Sequence, residues 1–138
     1  MQITLELNEQ QARTILRALD AYTRIGCGQF KIVREVVCDH WNDRRWEGRD
    51  GADTGLTIAK QALFPELGGY HTSYSIPNRK VPLDFRRAYD LLKHIEKPMA
   101  EARNPNPTFH TVDYDGAILN VSDEALPNVT VFKDEPSQ

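Results

Sequence analysis

Asn8 stands three residues ahead of Gln11, and beyond it Ala12, Ile15, Leu16, Leu19 and Tyr22 recur at steps of three and four. An asparagine caps the first free amides of a helix, a glutamine at the third helical position returns the hydrogen bond, and Leu7 can staple onto Ala12. The recurring apolar residues then share one face of a 3.6-residue period, while Arg13, Arg17, Asp20 and Arg24 fall on the other. A helix with one apolar stripe must bury it against a second element, so this segment demands a packed domain. Gly26 and Gly28 are expected to end it by supplying left-handed backbone.

Pro82 to about Ala102 is the clearest partner: Phe85, Ala88, Tyr89, Leu92 and Ile95 line one face, Asp84 lies in the first turn, and Pro98 should end or kink the helix. Gln29 to His40 reads as a further helix with Phe30, Val33 and Val37 inward, although its three valines keep a strand open. Leu56 to Phe64 should be a short helix, stopped by Pro65 and the Gly68-Gly69 pair. Between them, Trp41 to Thr54 reads WNDRRWEGRDGADT, without a period, and is expected to be a mobile surface loop.

Three segments carry strand signals. Ile3, Leu5 and Leu7 alternate with Gln2, Thr4 and Glu6, the pattern of a strand with one buried face. The Asp115-Gly116 pair between Thr108 to Tyr114 and Ala117 to Val121 favours a tight hairpin, and Val129 to Phe132 can add another strand. Together they predict an α+β domain at residues 1–132: a small antiparallel sheet covered by about four helices, followed by a frayed acidic tail at 133–138. A chain of 138 residues suits one such core.

The net charge of −3 is unevenly placed, since six acids against Lys133 from Val112 onward give −5 and leave +2 for the rest. Duplex nucleic-acid binders carry a much stronger basic field, so direct duplex binding is not expected. Two cysteines, no charged-then-apolar leader and no long apolar run argue against a secreted disulfide framework and against a membrane span. A reducing cytoplasm is the expected setting.

Residues Gly68 to Lys80 read GGYHTSYSIPNRK and concentrate hydrogen-bonding and stacking groups. Tyr70, His71, Tyr74, Arg79, Lys80, Arg86 and Arg87 form a candidate ligand or partner site: an aromatic can stack a base while Arg or Lys holds a phosphate near a helix N-terminus. The same cations can instead be structural, with Arg86 pairing to Asp90 and Arg87 to Asp84. His71-Thr72-Ser73 and His110-Thr111-Val112 partly match the paired motifs of two-histidine phosphodiesterases, but Val112 lacks the second hydroxyl that would bind phosphate.

Cys27, Cys38 and His40 do not have zinc-site spacing, so neither a metal nor another cofactor is expected. No P-loop, dinucleotide fingerprint or nucleophile elbow is present. Trp41, Arg44, Arg45 and Trp46 make a second candidate surface, because Trp and Arg dominate the energetic centres of protein interfaces. Asp113 and Asp115 on the acidic hairpin could engage a basic protein surface.

Ala18 to Phe30 (ALDAYTRIGCGQF), Ser73 to Ile76 (SYSI) and Arg87 to Leu92 (RAYDLL) together resemble small uncharacterised accessory proteins of tailed bacteriophages. The resemblance covers about the first two-thirds of the chain and omits the acidic hairpin. It implies a phage-encoded protein acting in the host bacterial cytoplasm, which makes non-enzymatic binding and modulation of a host protein, such as a defence component, the leading expectation. Sequestration of a small anionic, nucleotide-like ligand is the alternative. Homo-oligomerisation through an apolar face stays open.

Overall fold

The computed structural model describes residues 1–41, 44–108 and 120–134. Four α-helices carry the fold: α1 (Glu9–Gly26), α2 (Lys31–His40), α3 (Arg49–Leu63) and α4 (Leu83–Arg103), with a 3₁₀ helix at Arg44–Gly48 ahead of α3. α1 packs along α4 and also touches α2, while α2 packs on α3 and the 3₁₀ helix.

α1 begins where the capping pattern places it. Asn8 Oδ1 accepts the Gln11 amide at 2.9 Å and the Asn8 amide donates to Gln11 Oε1 at 3.0 Å, satisfying donors that a helix start otherwise leaves free. At the other end the two glycines act differently. Gly28 takes a positive φ of 85°, as a helix stop requires. Gly26 is the last helical residue instead, and a Cβ there would lie 2.1 Å from Cγ of Phe85, so its lack of a side chain admits the α4 ring. Phe85 also meets Tyr22, with ring centroids 4.8 Å apart. Ala88, Leu92, Met99 and Ala100 bury the α4 face along this seam.

Two helical boundaries differ from the sequence reading. α3 starts at Arg49, so the expected Trp41-to-Thr54 loop is largely a 3₁₀ turn running into helix. α4 continues through Pro98 to Arg103. Proline's missing N–H removes one helical bond, and burial of the neighbouring Met99 and Ala100 holds the backbone on either side of it.

The α+β expectation is overturned: the described residues are all-helical, without a strand or a sheet. Residues 1–7 alternate as a strand would, yet they belong to no regular element and every one is exposed. Val129 to Phe132 likewise form no strand, and Tyr70 to Ile76 form turns and irregular chain. A period of two says which side of a strand would be buried; it does not supply the partner whose hydrogen bonds make the strand. The hairpin centred on Asp115-Gly116 lies outside the described residues.

Candidate functional site

The apolar faces of α2 and α3 do not close on each other completely. Val33, Val37 and Cys38 from α2 and Ala52, Gly55 and Leu56 from α3 line an open groove of about 390 Å³, whose edge carries Arg34, Arg45 and Arg49. Val33 and Val37, expected to face inward, are exposed, as is Val36. The reason lies in how α2 is anchored. Phe30, just before it, meets Phe64 edge-on at 5.7 Å, and Cys38 near its end is buried, which leaves the valine column uncovered between two fixed ends.

One polar linkage holds the groove walls together. Arg34 Nε donates to Asp53 Oδ1 at 3.0 Å, joining α2 to α3, and the Tyr70 hydroxyl donates to the same oxygen at 3.1 Å. The Arg34 guanidinium holds the Asp53 carboxyl below the usual carboxylate range, and burial together with the Asp53 charge raises the Tyr70 phenol. Neither group is thereby prepared for acid–base work near neutrality; both are locked in their ordinary charge states.

Trp41, the residue after α2, is 56% exposed, and the guanidinium of Arg45, which lines the groove, lies 4.0 Å from its ring centroid. Such a cation–π contact contributes about 0.5–1 kcal/mol at an exposed site and holds the indole flat-side covered. Trp46 is 45% exposed on the 3₁₀ helix, which Arg44 begins. The structure therefore sets Trp41 and Arg45 beside an apolar groove that the sequence did not reveal.

The other predicted set is divided among three places. Tyr70 turns toward Asp53, and His71 stands exposed with its ring edge-on to Tyr70 at 5.0 Å. The Tyr74 hydroxyl donates to Glu66 at 2.7 Å, and the nearby Lys80 ammonium adds to the forces keeping the Glu66 carboxyl ionised. Arg79, Arg86 and Arg87 gather instead around residues 121–124.

That third place is a clamp. Asp90, 3% exposed, accepts the amides of Val121 and Ser122, each at 2.9 Å. Arg86 donates to the carbonyls of Val81 and Val121, both at 3.0 Å, rather than pairing with Asp90. Arg79 pairs with Asp123 at 2.5 Å, and Arg87 bridges Glu124 and Asp84, both at 2.6 Å. The hydrogen-bonded guanidinium groups hold the Asp123 and Glu124 carboxyls below their ordinary values. Asp123 adopts a positive φ of 60°, which lets its carboxylate reach Arg79 while the backbone on either side stays clamped.

A further feature supports the Gly68 to Thr72 turn. Lys60 is buried, and its ammonium donates to the carbonyls of Gly69, Tyr70 and Thr72. Burial pulls its proton affinity down, while three acceptors answer the three donors of the ammonium. Sequence could have flagged Lys60, since it falls one turn from both Leu56 and Phe64 on an apolar stripe. Asp90 carried no such signal, because its partners are backbone amides more than 30 residues away.

Among the described residues no group of three or more His, Cys, Asp or Glu could hold a metal, and no helix is long and apolar enough to cross a membrane. Cys27 and Cys38 are free thiols, and burial raises the Cys27 value. His110, Asp113 and Asp115 lie outside the described residues. No family model, curated protein or solved structure matches this chain.

Proposed function

We propose that the chain is a non-enzymatic binding protein that docks an amphipathic segment of a host protein into the groove between α2 and α3. One observation carries this reading: an apolar groove of about 390 Å³ is edged by arginines and adjoined by an exposed tryptophan. An occupant with apolar side chains would cover Val33, Val37 and Leu56, and an acidic residue at its flank would compete with Asp50 for Arg49 at the cationic edge. Trp41 would add the large, rigid contact that often dominates an interface. On the resemblance to tailed-phage accessory proteins, the interaction would take place in a bacterial host cytoplasm, with a defence component as the kind of target whose modulation would serve a phage.

Sequestration of a small anion ranks behind this reading. Arg79, Arg86 and Arg87 already face oxygens of residues 121–124, so a phosphate would have to compete with an internal segment. The two-histidine reading has only His71 of its motif pair among the described residues, and Val112 in the second motif lacks the hydroxyl that would bind phosphate.

The test is capture from a bacterial host lysate with wild-type protein, Val37→Glu and Trp41→Ala side by side. Val37 is already exposed, so the charged variant should fold and melt as the wild type does. Losing a tryptophan anchor costs about 2 kcal/mol or more, roughly 30-fold in affinity. A partner held by the wild type and lost by both variants supports the groove. Recovery of the same proteins by Val37→Glu, or no reproducible partner at all, overturns it.

A further inference from the structure

Two glycines at the end of α1 are explained by their surroundings: Gly28 takes a positive φ, and at Gly26 the Phe85 ring fills the space of a side chain. Gly55 is different. It lies inside α3, where glycine is the poorest helix former after proline, and its φ is not left-handed. A Cβ built on it would meet no atom of the described residues within 4 Å. The folded chain therefore bears the cost of this glycine without using the space it leaves. Gly51, one turn earlier, is equally open. A local rule broken inside a regular element marks a place whose use lies outside that element.

The space opens into the groove. Gly55 and Ala52 line it on the α3 side between Arg49 and the larger Leu56, with Val33 and Val37 on the α2 side. Both walls are helices whose interior amides and carbonyls are spent on each other, so the groove offers an occupant side chains and no free ladder of hydrogen bonds. An extended segment laid there would bury amides without partners. A helix bonds its own backbone and presents only side chains.

The charges define the occupant's flank. The lining residues include three arginines and no acid. Arg34 is spent on Asp53, while Arg49 pairs with Asp50 at 3.6 Å on side chains 57% and 93% exposed, a weak pairing that an incoming carboxylate can replace.

We propose that, given docking at this groove, the occupant is an acidic amphipathic α-helix that crosses α3 at Gly55 with a small residue of its own. Small side chains at a crossing let helix axes approach to about 8 Å rather than 10 Å, which seats the neighbouring apolar residues deeper between the walls. Those residues recur at i, i+3, i+4 and i+7 and cover Val33, Val37 and Leu56, and an Asp or Glu beside them meets Arg49. Glycine at position 55 thus serves binding at the expense of folding, a combination that a structural role does not produce.

The experiment selects displayed random peptides of about 16 residues, roughly four helical turns, on immobilised wild-type protein, with Val37→Glu as the counter-selection. Enriched peptides are expected to carry acids and helical apolar spacing, and to gain helical circular dichroism on binding. Gly55→Ala and Gly55→Leu should melt at or above wild type, since both residues are better helix formers than glycine and the site is open. Their affinity for the enriched peptides should nevertheless fall, by about tenfold or more for Gly55→Leu, whose side chain fills the crossing. Peptides that bind wild type, are lost with Val37→Glu and stay extended overturn the helix while leaving the groove reading intact. Unchanged affinity in Gly55→Leu also overturns it, as does a Gly55→Ala protein melting below wild type, since the glycine would then serve the fold. No enrichment over Val37→Glu removes the groove and the helix together.

Discussion

Replacing Asp90 by alanine should be among the most damaging single changes to this protein. The carboxylate is almost completely buried and accepts two backbone amides, Val121 and Ser122, at 2.9 Å each. A hydrogen bond to a charged group contributes about 1.5–3 kcal/mol net, so two are worth roughly 3–6 kcal/mol. Removing the carboxylate also removes the cost of having desolvated it, which places the expected loss near the lower end, about 3 kcal/mol. Unfolding entropy of about 2 cal/mol/K per residue gives roughly 0.3 kcal/mol/K for a chain of this length, so the melting temperature should fall by about 10 °C.

The change also has a location. Once Asp90 no longer holds the two amides, residues 121–124 are anchored by the Arg86 bond to the Val121 carbonyl and by exposed arginine pairs, and such pairs are weak. Amide exchange at Val121 and Ser122 should therefore accelerate well beyond the global loss of stability. Asp90→Asn keeps the size and one acceptor but turns an NH₂ group toward an amide, and should lose about half as much. Calorimetric melting with residue-resolved exchange reads both quantities. An Asp90→Ala protein that melts within about 3 °C of wild type, with both amides still protected, would refute the reasoning.

Lys60→Met should keep the stem of the side chain packed while leaving the carbonyls of Gly69, Tyr70 and Thr72 without their donor, at a cost of about 1–3 kcal/mol. Limited proteolysis should then cut within residues 68–72, and an uncut loop with an unchanged melting curve would count against the ammonium's role. For pH, the folded-state values of Asp123 and Glu124 are depressed by Arg79 and Arg87, so their contribution is complete above the ordinary carboxylate range and is lost as pH falls through the depressed values. Melting curves from pH 7 to pH 3 should fall less steeply in Arg87→Gln than in wild type; parallel curves would show that the Glu124 pair carries no linkage.

The parts of the fold that were readable are those whose causes are local. The α1 start follows from Asn8 and Gln11 alone, and the α4 seam from the spacing of Phe85, Ala88 and Leu92. The parts that were not readable depend on partners. Gly26 looked like a stop signal, but its lack of a side chain admits the ring of Phe85, 59 residues further on. Residues 2–7 carried a good strand pattern with nothing in the chain's described residues to pair with, and Val33 and Val37 carried a good helical stripe whose ends, not middle, are anchored.

The same distinction decides what the charges mean. Read along the chain, Arg79, Arg86 and Arg87 formed a basic cluster inviting an anion, and Asp123 and Glu124 belonged to an acidic terminus inviting a basic partner. In space they answer each other, at 2.5 Å between Arg79 and Asp123 and 2.6 Å between Arg87 and Glu124. Charges paired at such distances cast little field beyond a Debye length, so neither cluster can steer a distant ligand as its sequence density suggests. Recognition then falls to surfaces whose apolar area is left open in the folded chain. One such surface is the groove between α2 and α3, lined by Val33, Val37 and Leu56.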